Sequence, residues 1–288
     1  MSSSPKVWLA PAKINLFLHI NSKRKDGYHN LQTLFQLLDY HDELQFTVTD
    51  QGIINRTSGN ENIAPECDLI IRAAELLQKN TKTHLGCDIS IVKRIPAGAG
   101  LGGGSSDAAT TLVALNHLWK TDLSLQKLTA LGLELGADVP VFINAQSAWA
   151  EGVGEILSPV NTPNNYFLVV FVNQHTSTSE IFSHKALTMS PMIGKISDFS
   201  ELTNTHNDCL QAAIEQTEEI GLALEELNNC SNLIGKARMS GTGSSVFAEF
   251  STKKNALAAL EKMPKKWMSF TAQAINTSPI LKWAVAKR

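Results

Sequence analysis

Residues Pro96 to Ala108 read PAGAGLGGGSSDA, with five glycines in the seven positions from Gly98 to Gly104. The chemistry such a run offers is that of backbone, not of side chains. Glycine adopts positive φ freely and lets the main chain come close to a ligand. A loop feeding a helix start also aims unpaired N–H groups and the positive end of the helix dipole at an anion. The apolar stretch ISIVKRI precedes the run and a helical pattern opens at Ser105, so the segment is predicted to cradle phosphate. A flexible linker is the alternative, and the helix and strand patterns hemming in the run argue against it.

Two familiar phosphate loops have related compositions. Gly98, Gly100 and Gly103 satisfy the dinucleotide spacing, with Asp122 nineteen residues beyond the last glycine. A Rossmann unit, however, requires a strand directly after its helix. Here SLQKLTALGLEL follows from Ser124, with Leu128, Leu131 and Leu135 on one side of a second helix. A Walker loop would close on lysine followed by serine or threonine, and no such pair ends this run.

The elements that must hold the loop are legible in the hydrophobic periods. Ile14, Leu16, Leu18 and Ile20 alternate with Lys13, Asn15, Phe17 and His19, the period of a half-buried strand with Lys13 and Asn15 on one face. Asp26-Gly27 signals a hairpin that presents Tyr28 and His29 near its turn. Strands are expected around 44–48 and 89–92, with a helix over 68–78 between them. After the loop, Ala108, Leu112, Leu115 and Trp119 mark the buried stripe of a helix. Ser124 reads as an N-cap and Gly136 as a C-terminal stop, which leaves Asp138 on a punctuated corner. A hairpin pivoting on Gly152 and Gly154, a strand from Tyr166, a long helix over 207–228 and a second glycine loop at Ser240 to Ser244 complete the outline.

Composition excludes several functional classes. Lys and Arg total 25 against 27 Asp and Glu, a net charge of −2 in 288 residues, so no global field favours nucleic acid or a membrane. From Lys253 to Arg288 eight basic residues face one acidic one, a net +7 that leaves −9 elsewhere. A solvated C-terminal face explains this most simply, and attraction of an anionic substrate is the alternative. Cys67, Cys87, Cys209 and Cys230 show no metal spacing, and neither do His19, His41, His84 and His117; free thiols in a cytoplasmic protein are the expectation. Pro11, Lys13 and Asn15 interrupt the apolar positions a signal peptide needs, and YFLVVFV, the longest apolar run, is far short of a membrane span.

Three separated segments, PAKINLFL at Pro11, PAGAGLGGGSSDAA at Pro96 and RMSGTGSSVF at Arg238, resemble the GHMP small-molecule kinases. RKDGYHNLQTLFQLLDY at Arg24, LGADVPVF at Leu135 and AEGVGEIL at Ala150 narrow the likeness to the branch whose acceptor is a cytidine-diphosphate-linked methylerythritol. It runs nearly end to end. The resemblance implies an α+β fold of two lobes, 1–160 binding ATP and 161–288 completing the substrate cleft between them. It implies ATP as co-substrate, with Mg2+ expected, and phosphorylation of the acceptor's tertiary 2-hydroxyl on the non-mevalonate route to isoprenoid precursors.

Residue by residue, the resemblance carries the catalytic pair onto Lys13 and Asp138. It places the ATP phosphates over Pro96, Ala97, Gly98, Ala99, Gly100, Leu101, Gly102, Gly103, Gly104, Ser105 and Ser106. The acceptor falls to Asn15, Tyr28, His29, Thr178 and Phe182. The chemistry agrees: a carboxylate in reach of a poorly acidic alcohol can orient it and take its proton, and a lysine beside it offsets developing charge. Valine at Gly102 or Gly103 is expected to remove ATP binding without unfolding the chain. Asp107, where the family also carries asparagine, is expected to cap the helix's first turn.

Blander readings stand beside these. Lys13 suits an edge strand, Asp138 a turn, His29 a solvated loop, and Tyr28 and Phe182 ordinary packing. Rival functions are a kinase of homoserine, mevalonate or a sugar, a silent ATP-binding sensor, and a dinucleotide-dependent oxidoreductase.

Overall fold

The alternating N-terminal segments become two long strands on which the remainder of the chain is assembled. In the computed structural model, which describes residues 6–59, 63–174, 176–195 and 199–284, β1 (Val7–Lys23) and β2 (His29–Thr49) pair antiparallel. Gly27 takes φ 91° in their turn, as the Asp26-Gly27 signal requires. The alternation predicts one wet face, yet β1 is buried on both faces from Ala10 to Ile20. The reason is its position in the molecule. Trp8 and Ala10 enter one apolar core, Ala12, Ile14, Leu16 and Phe17 a second, and Leu18 and Ile20 a third.

β2 is the hub of the sheet, pairing with β4 (Gly86–Val92), β5 (Ala148–Glu151) and β10 (Met268–Ile275) as well as β1. β3 (Ile54–Ser58) runs parallel to β4, and β6 (Ile156–Pro159) closes the expected hairpin with β5. β7 (Tyr166–Phe171), β8 (Ile234–Met239) and β9 (Ser245–Phe250) extend the sheet from β10, in the order β10-β7-β9-β8.

Helices α1 (Leu69–Thr81), α2 (Gly103–Leu118), α3 (Leu125–Leu135) and α4 (Val139–Asn144) cover the β2 and β4 end. Asp68 caps α1 by accepting the Ile70 N–H, and Ser124 caps α3 by accepting that of Lys127. α2 starts at Gly103, two positions before the pattern indicates, and is buried all round from Ser106 to Asn116 rather than along one stripe. It leads into α3 and not a strand, in keeping with the rejection of a Rossmann unit. Gly136 follows α3 at φ 168°, an extended conformation, so no left-handed turn stops the helix there.

α5 (Thr178–Ser183), α6 (Leu210–Gln216), α7 (Glu218–Asn228), α8 (Lys253–Leu260) and α9 (Leu281–Ala284) follow. The single long helix expected over 207–228 is two, because Thr217 turns to φ −145°, ψ 91°. α7 packs on β8 and β9, α8 on β7, β9 and β10, and α6 on α7, whereas Ile280 and Ala284 return to the core under α2 and α4. Residues 285–288 of the basic C-terminal stretch lie outside the described residues. All four cysteines are free, and burial pushes the Cys87 and Cys209 thiols up to about 12. Among the described residues, no helix is long and apolar enough to cross a membrane.

Candidate active site

β1, the β1–β2 turn, the glycine loop, the start of α4, α5 and Gly241 to Gly243 together enclose a cavity of about 930 Å³. Lys13, Asn15, Tyr28, His29, Asp138, Thr178 and Phe182 all line it, as do Pro96, Ala97, Gly98, Ala99, Gly100, Gly102, Gly103, Gly104 and Ser105. Leu101 and Ser106 do not. The Leu101 side chain is buried, and its carbonyl accepts the Lys13 N–H at 2.9 Å, so it ties the loop to β1. Ser106 lies a turn inside α2 with its hydroxyl buried in the protein and unpartnered among the described residues. It is therefore not among the residues that the structure brings to the cavity.

Gly98, Gly100 and Gly102 alternate at φ 66°, 74° and 71°, a path β-carbons would strain. Space is closed as well. A β-carbon on Gly100 would lie 2.3 Å from the Ser240 carbonyl oxygen, and one on Gly102 would lie 2.8 Å from the Phe142 ring. The loop ends on α2, and Gly103, Gly104 and Ser105 of its first turn line the cavity, where a helix start offers unpaired N–H groups.

Lys13 stands where strand and loop meet. Its Nζ lies 3.2 Å from Asp138 Oδ2 and donates to Asn15 Oδ1 at 2.7 Å and the Gly100 carbonyl at 3.1 Å. The lysine is only 3% exposed, the aspartate 35%. Asp138 precedes α4 without capping it through its side chain, so the carboxylate is left facing the cavity. Asn15 is fixed in turn, its amide donating to Thr33 Oγ1 at 2.9 Å and its backbone N–H to Ser240 Oγ at 3.1 Å. Ser240 also donates to the Gly100 carbonyl at 2.8 Å. That residue stitches both glycine loops to β1, a role no local signal announces.

The opposite end of the cavity is aromatic. The His29 and Phe182 rings stack with centroids 5.2 Å apart and planes 22° from parallel. Burial, and after it the charge of Lys23, holds the His29 imidazole below its ordinary value, so the ring is neutral at neutral pH. Tyr28 is 64% exposed at the rim. Thr178 Oγ1 meets Thr242 Oγ1 at 3.1 Å, joining α5 to the second glycine loop.

Asp107 is not a cap. It is buried, and its Oδ2 accepts from Lys93 Nζ at 2.7 Å; Lys93 also pairs with Asp42. Asp42 accepts the Arg94 and Ile95 N–H groups as well. Burial pushes the Asp107 carboxyl up to about 8, with Lys93 opposing and Asp42 adding to the rise. Burial works against the Lys93 charge, but the two carboxylates outweigh it and hold its value above the ordinary one. A β-carbon on Gly103 would lie 3.4 Å from Lys93 Nζ, so this triad underlies the glycine loop.

Comparison with known proteins gives a consistent family. Residues 68–146 match the GHMP kinases N terminal domain and residues 191–268 the GHMP kinases C terminal domain. A 4-diphosphocytidyl-2-C-methyl-D-erythritol kinase of Vesicomyosocius okutanii subsp. Calyptogena okutanii (strain HA) is 68% identical over 284 residues, 99% of this chain and 100% of its own. One from Ruthia magnifica subsp. Calyptogena magnifica is 69% identical over 281 residues, covering 98% and 99%. A crystal structure of 4-(cytidine 5'-diphospho)-2C-methyl-D-erythritol kinase aligns with TM-score 0.82 and 31% identity, covering 93% of this chain and 99% of that one. A mevalonate kinase crystal structure, with TM-score 0.70 and 16% identity over 94% and 99%, shares the fold.

Proposed function

Since the chain belongs to the 4-diphosphocytidyl-2-C-methyl-D-erythritol kinases of the GHMP family, we propose that it transfers the γ-phosphoryl group of ATP to that acceptor's 2-hydroxyl. The products are the 2-phosphate and ADP, in the non-mevalonate route to isoprenoid precursors. The observation that carries the reading is the Lys13–Asp138 pair, 3.2 Å apart, facing the glycine loop across one cavity.

The acceptor hydroxyl sits against the Asp138 carboxylate, which orients it and receives its proton as the oxygen bonds to phosphorus. Lys13 sits 3.2 Å from that carboxylate and offsets negative charge between nucleophile and γ-phosphate. Because Lys13 is already bonded to Asn15 and Gly100, it is aimed before substrate arrives. The glycine loop and the start of α2 bind the ATP phosphates through backbone N–H groups. The cytosine ring lies at the His29, Phe182 and Tyr28 end, with Thr178 beside it. On this reading the lobes divide near residue 160, with α9 packing back on the first.

Among the described residues no group of three His, Cys, Asp or Glu could hold a metal, which fits Mg2+ carried by the nucleotide rather than caged by protein. Ser105, at the start of α2 on the cavity wall, would hold it beside the nucleotide. When bound, the ion supplies charge neutralisation on the transferred group.

ADP release is the test, with the cytidylyl acceptor, mevalonate, homoserine and galactose supplied in turn. Turnover on the first alone is expected. Equal turnover on mevalonate or homoserine would replace the acceptor, and none on any would favour a sensor.

A further inference from the structure

The cavity must accept two polyphosphates, and its cations are few. Among the described residues, Lys13 and Lys23 are the lysines lining it, and no arginine does. An ammonium has three donors, and all three on Lys13 are engaged, by Asp138, Asn15 and Gly100. His29 is neutral at neutral pH, as described above. The glycine loop serves ATP. The acceptor's own diphosphate therefore lacks a countercharge unless Lys23 provides it.

The fold puts Lys23 in the right place. It ends β1 directly across the hairpin from His29, the two being partners in the strand register. That sets it next to the ring that stacks on Phe182, and it is exposed on the cavity wall. Among the described residues no carboxylate pairs with it, whereas its neighbour Arg24 is held by Asp26 at 2.8 Å. In a cytidine-diphosphate-linked alcohol, the diphosphate lies between the base and the reacting carbon chain. With the base at His29 and the hydroxyl at Asp138, the diphosphate passes the Lys23 side of the cavity.

We propose that Lys23 is a specificity-determining residue that pairs with the phosphate oxygens of a nucleoside-diphosphate-linked acceptor. The inference rests on the acceptor reading above. It makes discrimination between a nucleotide-tethered alcohol and a bare one partly electrostatic, added to the aromatic stack.

The test titrates cytidine and cytidine 5'-diphosphate into the full chain, with the glycine loop saturated by a non-hydrolysable ATP analogue. It is run at low and high ionic strength for the native chain, Lys23→Met and Lys23→Arg, with thermal melts to verify folding. The native chain should bind the diphosphate more tightly than the nucleoside, by a margin that salt narrows. Lys23→Met should weaken the diphosphate about tenfold and leave cytidine unchanged, and Lys23→Arg should restore most of the loss. If the native chain binds both probes but Lys23→Met leaves the diphosphate unaffected, or weakens both alike, the Lys23 assignment falls and the acceptor reading survives. A native chain that binds neither probe overturns the acceptor reading and this inference with it.

Discussion

Lys13, at one end of the cavity, is 3% exposed and held by three partners, whereas Tyr28, at the other, is 64% exposed on a hairpin tip. The reactive end is tied together from β1, both glycine loops and the start of α4. The aromatic end meets, among the described residues, across a stacked pair and the hydroxyl contacts of Thr176 and Thr178 with Thr242. Geometry within a fraction of an ångström matters where a phosphoryl group is transferred. Where a base is recognised, contacts can form as the ligand arrives. Substitutions at the first end should therefore damage turnover or the fold, and those at the second should damage affinity.

The largest effect expected is on chemistry. Asp138→Asn should lower kcat by about 10²- to 10⁴-fold and leave ATP affinity nearly as it was, because among the described residues no hydrogen bond or ion pair joins the aspartate to the glycine loop. Lys13→Met should lose as much turnover. It should also lower the melting temperature, since Asn15 Oδ1 loses its Lys13 donor and the Gly100 carbonyl keeps only that of Ser240. The double variant should lose much less than the product of the single losses. Near-normal kcat in Asp138→Asn would break the comparison at its stronger end.

A second test separates loop from fold. Gly102→Val places a β-carbon 2.8 Å from the Phe142 ring and 3.2 Å from Lys13 Cε, at φ +71°. It should abolish ATP binding and lower the melting temperature together, in contrast to the sequence-based expectation that the fold is spared. Gly104→Ala meets only Leu69 Cδ1 at 3.4 Å, with no positive φ, and should retain both. Calorimetric ATP titration beside a melt reads the two. Equal behaviour of the variants would mean that close packing does not govern the loop.

What was legible in the sequence is what local chemistry encodes. The glycine run, the Asp26-Gly27 hairpin, the Ser124 cap and the Gly152–Gly154 hairpin each depend on neighbours within a few positions. Two-sided burial of β1 could not be read, because it depends on cores contributed by segments far along the chain. The same holds for Ser240, 225 residues from the Asn15 N–H it accepts, and for Lys93, 51 residues from Asp42. Lys13 and Asp138 are 125 residues apart, and only their motifs, not their spacing, indicated that they meet. Asp107 was misread for a related reason. Its position near a helix start suggests a cap, and only the fold brings Lys93 and Asp42 to it.

At the aromatic end, base stacking contributes ~1 to 3 kcal/mol by alanine substitution, so Tyr28→Ala should lower kcat/KM by about 5- to 150-fold. Most of that should appear in KM. An acceptor lacking the cytosine ring should already be poor for the native chain, and Tyr28→Ala should penalise it little more. Loss of kcat at unchanged KM would mean that the rim residue acts on the chemistry, and the contrast between the ends would be wrong.

The smallest effect expected is on stability, and it sharpens the picture of the reactive end. Burial raises the Asp107 carboxyl to about 8, against 3.8 for the free group. A raised value in an acid means that the folded chain keeps a proton which the unfolded chain releases near pH 4. Stability from this group is thus fully present below that pH and is lost as pH rises through about 8. Asparagine cannot titrate, and it leaves Lys93 paired with Asp42. The native melting temperature should fall between about pH 5 and 8 more steeply than that of Asp107→Asn. At the upper end the variant should melt higher by about 3 °C, which corresponds to ~1 kcal/mol at this chain length. Because the triad underlies Gly103, ATP affinity should weaken with the native chain's stability over the same range. Parallel melting curves for the two proteins would show that Asp107 keeps its charge in the fold. The reactive end would then be held by a fully ionised triad, with no pH-dependent contribution from this carboxyl.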